Sequence, residues 1–345
     1  MTLVLGRSEV RQLLDLPTCI EAVEDAFRQH VAGGSIPPQV LGARVLGGTF
    51  HVKAAGLTSR VAGAGRAMFA AKVNANFPGN PAMRGLPTIQ GVLSLFDAED
   101  GRLLALIDTM EITSIRTAAA TAVAAKHLAR PDAGVMTICG CGEQAANQTR
   151  ALDSVRSLRR VMAFDAIPER AASFARALSG ELSCDVIPVP ALDEETAASD
   201  IWVTCTTALH WFLGRAHVRP GAFVAAVGAD NPQKQEIEPE LLGTSVVIAD
   251  SIDQCATSGD LHHAIDGGVM RREDVRGELA DVVTGRVVGR RSPDEIVVFD
   301  STGTALQDVA AARLVHERAR AAGVGLDVDL AESVTPSRSL TTVAS

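Results

Sequence analysis

The sequence contains no tyrosine, and aromatic residues make up only 3% of its 345 residues. No long basic run is present, and the net charge is −9. Nucleic-acid binding needs a cationic footprint and often stacking rings, so no nucleic-acid partner is expected. No apolar run approaches the length of a membrane span, and no membrane association is expected. The opening stretch, MTLVLGRSEVRQLLDL, is too weakly apolar for a signal peptide. The six cysteines lack the spacing of a disulfide framework, which points to a reducing, cytoplasmic setting. Cys139 and Cys141 form a C-x-C without a second Cys/His pair at finger spacing, so they read as small residues at a strand end. In CATSGDLHHAI, His262 and His263 are adjacent and point apart in a helix or strand. No metal is expected.

What is present is an ordinary globular balance, 47% hydrophobic and 21% charged, in a chain longer than one core usually serves. Two domains are expected. SEVRQLLDL and PTCIEAVEDAFRQHVAGG read as helices. QVLGARVL and TFHVKAAGL read as strands joined by Gly47-Gly48. RAMFAAKVNANF is a third strand, and PTIQGVLSLF and RLLALID flank the turn DAEDG. The front of the chain is therefore an α+β unit with a mainly antiparallel sheet. EITSIRTAAATAVAAKHLAR is an alanine-rich helix. From residue 134 short apolar runs alternate with helical or loop segments, the signature of a doubly wound parallel sheet, so the fold class is α/β. A last long helix, TALQDVAAARLVHERARAAG, precedes a Ser/Thr-rich tail expected to be frayed over residues 331–345.

TICGCGEQAAN carries Gly140-x-Gly142-x-x-Ala145 between a strand and a helix, the context a dinucleotide-binding turn needs. Gly140 permits the tight turn, Gly142 lets the backbone approach a pyrophosphate, and Ala145 leaves room for the helix against the sheet. The helix N-terminus then presents free N–H groups to the anion. Asp165 ends the next strand, 25 residues after Gly140, where a carboxylate accepts hydrogen bonds from an adenosine ribose. A carboxylate there repels a 2′-phosphate, which favours NAD. Arg170 stands near enough in sequence to keep NADP open.

Hydride transfer needs a substrate held against the nicotinamide and groups that move protons. The front half offers His51 and Lys53 on one strand face, Lys72 within an apolar strand, and Arg116 in the helix leading to the nucleotide turn. Each alone reads as an ordinary snorkelling cation. Together they form a candidate anion pocket.

The ordered motifs KVNANFPGNP, GLPTIQG, TSIRTAAATAVAAKHLARP, CGCGEQ, VGADNPQKQE and FDSTGTALQDVAAA resemble the ornithine cyclodeaminase/mu-crystallin family, which includes an alanine dehydrogenase branch. The resemblance covers roughly residues 1–325. It implies a substrate-binding and dimerisation domain over 1–115, completed by about 304–330, and an NAD(P)-binding Rossmann domain over 116–303. It also implies a homodimer. Carried over, Lys72 is the lysine beside the substrate carboxylate and reacting nitrogen, and Arg116 clamps the carboxylate. Asp230 orients or deprotonates the amino group or attacking water. Thr117 meets the cofactor phosphates or ribose. Glu143 and Gln144 belong to the phosphate turn and Val227 to the VGAD motif. Thr204, Cys205 and Thr206 lie over the nicotinamide ribose, and Ser301 and Thr302 close the site. From the residues alone, Asp230 also reads as a turn cap and Thr302 as a helix N-cap.

Two positions depart from the family pattern. Gln39 stands where cyclodeaminases carry a second carboxylate-binding arginine after the paired prolines, and His51 stands where the dehydrogenase branch has an arginine. Arg44, His51 and Lys53 are the candidate replacements. Gln39 can hydrogen-bond a carboxylate but brings no charge. The departures point to a substrate other than ornithine or alanine. The expected activity is that of an NAD(P)-dependent amino-acid dehydrogenase or imine reductase, acting on a small amino acid, 2-oxo acid or imine. Cyclodeamination without net redox change is the enzymatic alternative. A cofactor-dependent ligand-binding protein is the non-enzymatic one.

Overall fold

The computed structural model describes residues 1–58 and 65–330. The tail expected to fray, 331–345, lies outside the described residues. The strands are β1 (Thr2–Leu5), β2 (Ser35–Val45), β3 (Gly48–Leu57), β4 (Met68–Asn76), β5 (Ile89–Asp97) and β6 (Leu103–Asp108), then β7 (Val135–Cys139), β8 (Arg160–Phe164), β9 (Asp185–Pro188), β10 (Ile201–Thr204), β11 (Phe223–Ala226), β12 (Val246–Ala249), β13 (Gly277–Glu278), β14 (Val297–Asp300) and β15 (Leu326–Val328).

They form two sheets. The first has the order β15-β1-β6-β5-β4-β3-β2 and is antiparallel except where β1 meets β6. The second, β13-β12-β14-β11-β10-β7-β8-β9, is parallel throughout. Its half β9-β8-β7-β10-β11 is the Rossmann order, with the direction of winding reversing between β7 and β10. The strand cores Ile201–Thr204, Phe223–Ala226 and Val297–Asp300 are buried throughout, as both-face coverage by helices demands.

The Thr109–Leu128 helix begins on Asp108, whose side chain accepts from Met110 N at 3.0 Å. Its alanines are buried on nearly every side, which fits a helix wedged between two layers rather than lying on one. The expected domain boundary at 115/116 falls inside this continuous helix. The Ala305–Ala322 helix returns to the first sheet and packs against β3 and β4.

Two features escaped the periodicity reading. β15, at one edge of the first sheet, and β1 beside it are only three and four residues long. β2 bulges between Ile36 and Gln39, at Pro37-Pro38, because proline cannot donate to the ladder.

Candidate active site

The register of β3 and β4 sets Lys53 directly opposite Lys72, and His51 opposite Asn74. Two lysines opposed across a ladder repel one another unless carboxylates intervene. The carboxylate comes from the Ala305–Ala322 helix. Asp308, 1% exposed, lies 2.7 Å from Lys72 Nζ and 2.8 Å from Arg116 Nε. Arg116 also donates to Gln307 Oε1 at 2.8 Å. Lys53 Nζ donates to the carbonyls of Thr302 (2.8 Å) and Gly303 (2.7 Å), which ties the first sheet to the loop after β14. Gly303 has φ +79°, and a Cβ there would stand 2.5 Å from Arg116 Nη1, so glycine is required.

This packing sets the proton affinities. Burial pushes the Lys72 ammonium down to about 7, Arg116 and Lys53 push the same way, and Asp308 opposes them. Lys53 is lowered for the same reasons, burial first and then Arg116. Burial raises the Asp308 carboxyl, but Arg116 and Lys72 outweigh it and hold the group below its usual range. Burial keeps the His51 imidazole below its ordinary value against the pull of Asp230.

Asp230 lies across from these cations, after β11. It pairs with Lys234 at 2.8 Å. Protein surrounds it closely, yet its side chain is 50% exposed because it opens into a cavity. Burial raises its carboxyl, and Lys234, Lys53 and His51 together bring it below the ordinary value. Among the described residues it accepts no backbone N–H, so it does not act as a turn cap; Asn231 takes that part by accepting from Gln233 N at 3.0 Å. The cavity measures about 330 Å³, and its wall includes Arg44, His51, Lys53, Asp230, Gln233 and Thr302.

Gln39 is not brought to this wall. Beyond the bulge it pairs with Ala54, on the sheet face opposite Lys53 and Lys72, and it is exposed. The expected contact of Gln39 with substrate is therefore not offered from this wall, because the bulge shifts which residues face the site.

A second cavity, about 470 Å³, lies along the same carboxyl edge of the parallel sheet. Gly140, Gly142, Asp165, Arg170, Cys205 and Thr206 are on its wall. Gly140 has φ +93°, and a Cβ there would stand 3.0 Å from Cys205 O. A Cβ at Gly142 would meet nothing within 4 Å, so the bare backbone faces open space. Among the described residues, the N–H groups of Gly142, Glu143 and Gln144 have no acceptor. Open space and free donors at the start of the Ala145–Val155 helix fit a dinucleotide pyrophosphate. Asp165 braces this turn, accepting from Cys141 N (2.8 Å) and Ile167 N (2.9 Å).

The other expected cofactor residues lie off that wall. The Thr117 hydroxyl donates to Thr113 O at 2.6 Å. Glu143 accepts from Arg7 at 3.0 Å, Gln144 stands at the helix N-cap, and Ala145 is buried as its first residue. Thr204 is buried and donates to Glu236 at 2.7 Å, and Val227 N bonds Thr204 O at 2.9 Å. Ser301 and Thr302 donate to Asp250, so Thr302 is not the helix N-cap; Thr304 holds that position.

Three carboxylates that sequence reasoning did not single out thus brace the site: Asp308, Asp250 and Glu236. Glu236 accepts from Thr204, Thr206 and Gly228, and Asp250 accepts from Gly303 N. His263, in the stretch tested for metal ligands, instead meets Lys234 O at 2.9 Å.

Residues 1–323 match the model of the ornithine cyclodeaminase/mu-crystallin family. The chain belongs to this family. Within the family it is 35% identical to an alanine dehydrogenase of Archaeoglobus fulgidus, across 94% of this chain and 97% of that one. Its fold superposes on an archaeal alanine dehydrogenase dimer with bound NAD, with a TM-score of 0.90 and 33% identity, covering 95% of this chain and 99% of that one. The Thermococcus litoralis Δ(1)-pyrroline-2-carboxylate reductase in complex with NADH and L-proline gives a TM-score of 0.88 at 31% identity, covering 95% of this chain and all of that one. No helix among the described residues is long and apolar enough to cross a membrane.

Proposed function

We propose that the chain is an NAD-dependent oxidoreductase acting at the α-carbon of an amino acid or its imine. The observation that carries this reading is the buried Lys72–Asp308–Arg116 cluster, with Lys53 beside it and Asp230 across the cavity. A bound nicotinamide would supply hydride exchange with Cα. Lys53 and Arg116 supply positive charge for the substrate carboxylate. Asp230 is the acceptor for a proton from the nitrogen or from an attacking water. Lys72, with its ammonium brought to about 7, holds or releases a proton at Nζ near neutral pH. Gly142 and the free N–H groups beside it receive the pyrophosphate, and Asp165 favours NAD by repelling a 2′-phosphate.

The antiparallel unit, residues 1–115 with 304–330, binds substrate and pairs with a second copy, while 116–303 holds the cofactor. The outer face of that sheet carries Leu41, Phe50, Val52, Val73 and Val92 in register, four of them exposed, an apolar surface suited to a homodimer. An archaeal relative is itself a dimer, which supports pairing of two copies. Six free thiols support a cytoplasmic setting.

The test follows reduced-nicotinamide absorbance while amino acids are offered with NAD, and 2-oxo acids with ammonia or cyclic imines with NADH. Ammonia is assayed in parallel. NADH formed in step with ammonia, or NADH consumed with an imine, is the expected result. Ammonia from a diamine without net NADH would replace the reading with cyclodeamination. Tight ligand binding without turnover would replace it with a binding protein.

A further inference from the structure

The 330 Å³ cavity extends well beyond the charges that manage the α-carbon. Its inner end is Lys53 and Thr302, and its wall continues outward past His51 to Thr49 and Arg44. The β2–β3 register opposes Val40 to Lys53, Gly42 to His51, and Arg44 to Thr49, so all of them share one sheet face. At about 3.4 Å per residue, His51 stands roughly 7 Å and Thr49 roughly 14 Å from Lys53 along the strand. A Cβ at Gly42 would meet nothing within 4 Å, which leaves the floor between the two ends open.

The charged groups on this wall differ in how they are engaged. Lys53 is held by two carbonyls. Asp230, the one carboxylate on the wall, is paired with Lys234. His51 is held toward its neutral form by burial and bonds Thr49 Oγ1 at 3.1 Å. The Arg44 guanidinium has no hydrogen bond or ion pair among the described residues. The remaining polar wall, Asn231, Gln233, Gln254, Thr257 and Ser258 with the two threonines already named, is uncharged. A substrate with a small apolar side chain would leave this outer end to water and Arg44 unused. A guanidinium is the side chain best matched to a planar carboxylate, which it can grip through two parallel hydrogen bonds.

We propose that Arg44, with His51 beside it, forms a subsite for a second carboxylate, so that the substrate is an amino dicarboxylic acid or the corresponding imine. The inference rests on reading this cavity as the substrate site, and the test separates the two claims. The full chain, saturated with NADH, is titrated calorimetrically with succinate and glutarate, and with propionate and butyrate as monocarboxylates of matching length. The dicarboxylates are expected to bind at least about tenfold more tightly, as a charge-assisted contact implies. That preference should collapse toward unity in Arg44→Gln and be partly kept in Arg44→Lys. Equal binding of the two series, or a preference unchanged in Arg44→Gln, would overturn the subsite and leave Arg44 a solvated surface cation. The same protein is then given oxaloacetate or 2-oxoglutarate with ammonia. A preserved binding preference without NADH oxidation would support the subsite and overturn the oxidoreductase reading.

Discussion

The two cavities share one edge of the parallel sheet, yet they are built by opposite means. At the nucleotide turn, side chains are withheld: Gly140 turns the backbone, Gly142 faces open space, and the N–H groups beside them are free. At the substrate end, charge is crowded in. Lys72 and Arg116 are 3% and 4% exposed and share a single buried carboxylate. The first arrangement suits an anion, which would meet backbone dipoles that need no counterion. The second holds cations whose desolvation must be offset within the protein before any substrate arrives. The nucleotide turn should therefore tolerate substitutions that leave its backbone alone, and the charge cluster should tolerate almost none.

Removing Asp308 gives the largest effect. Asp308→Ala strands two buried cations and should cost about 3–5 kcal/mol of stability, read from urea unfolding, with turnover lost as well. A variant as stable as the parent would mean that the cluster is wetter and more loosely coupled than its geometry shows.

Asp230 separates chemistry from stability, because its carboxylate opens into the cavity. Asp230→Asn should lower kcat by about 10²- to 10⁴-fold with NAD affinity and unfolding midpoint nearly unchanged. Equal turnover in the variant would remove Asp230 from the mechanism.

The two glycines sharpen the contrast within the turn. Gly140→Ala forces a left-handed backbone and a clash with Cys205 O, and should cost about 1–3 kcal/mol even without cofactor. Gly142→Ala should leave the cofactor-free melting temperature unchanged and weaken only NAD binding, by titration. Equal losses of stability in both variants would contradict the assignment of Gly142 to ligand approach.

The same contrast explains what could be read from the chain. The glycine turn was legible because its constraint is local: two glycines, an alanine and Asp165 lie within 25 residues of Gly140. Lys53, Lys72 and Arg116 were legible as residue types but not as a cluster. Asp308 lies 236 residues from Lys72, and only the returning helix brings it there. Its signal was present, since a carboxylate between Leu306 and Val309 falls on the buried part of the helix. Glu236 and Asp250 were hidden likewise, because a buried acid that braces a loop resembles any surface acid in a one-dimensional reading. Gln39 was misplaced for a different reason. Its position after the paired prolines was clear, but a bulge reverses which face each residue takes, and spacing alone does not count bulges.

The central claim is that burial among charges tunes Lys72 to exchange a proton near neutrality. It is tested most directly by the pH dependence of kcat/KM in the oxidative direction, for the parent enzyme and Lys72→Arg. A lysine brought from 10.5 to about 7 is an ammonium below that pH and a free amine above it. The parent should therefore gain activity through a midpoint near 7, and Lys72→Arg, which stays protonated, should lack that rise. A profile flat across neutral pH, or the same inflection in both proteins, would contradict the account.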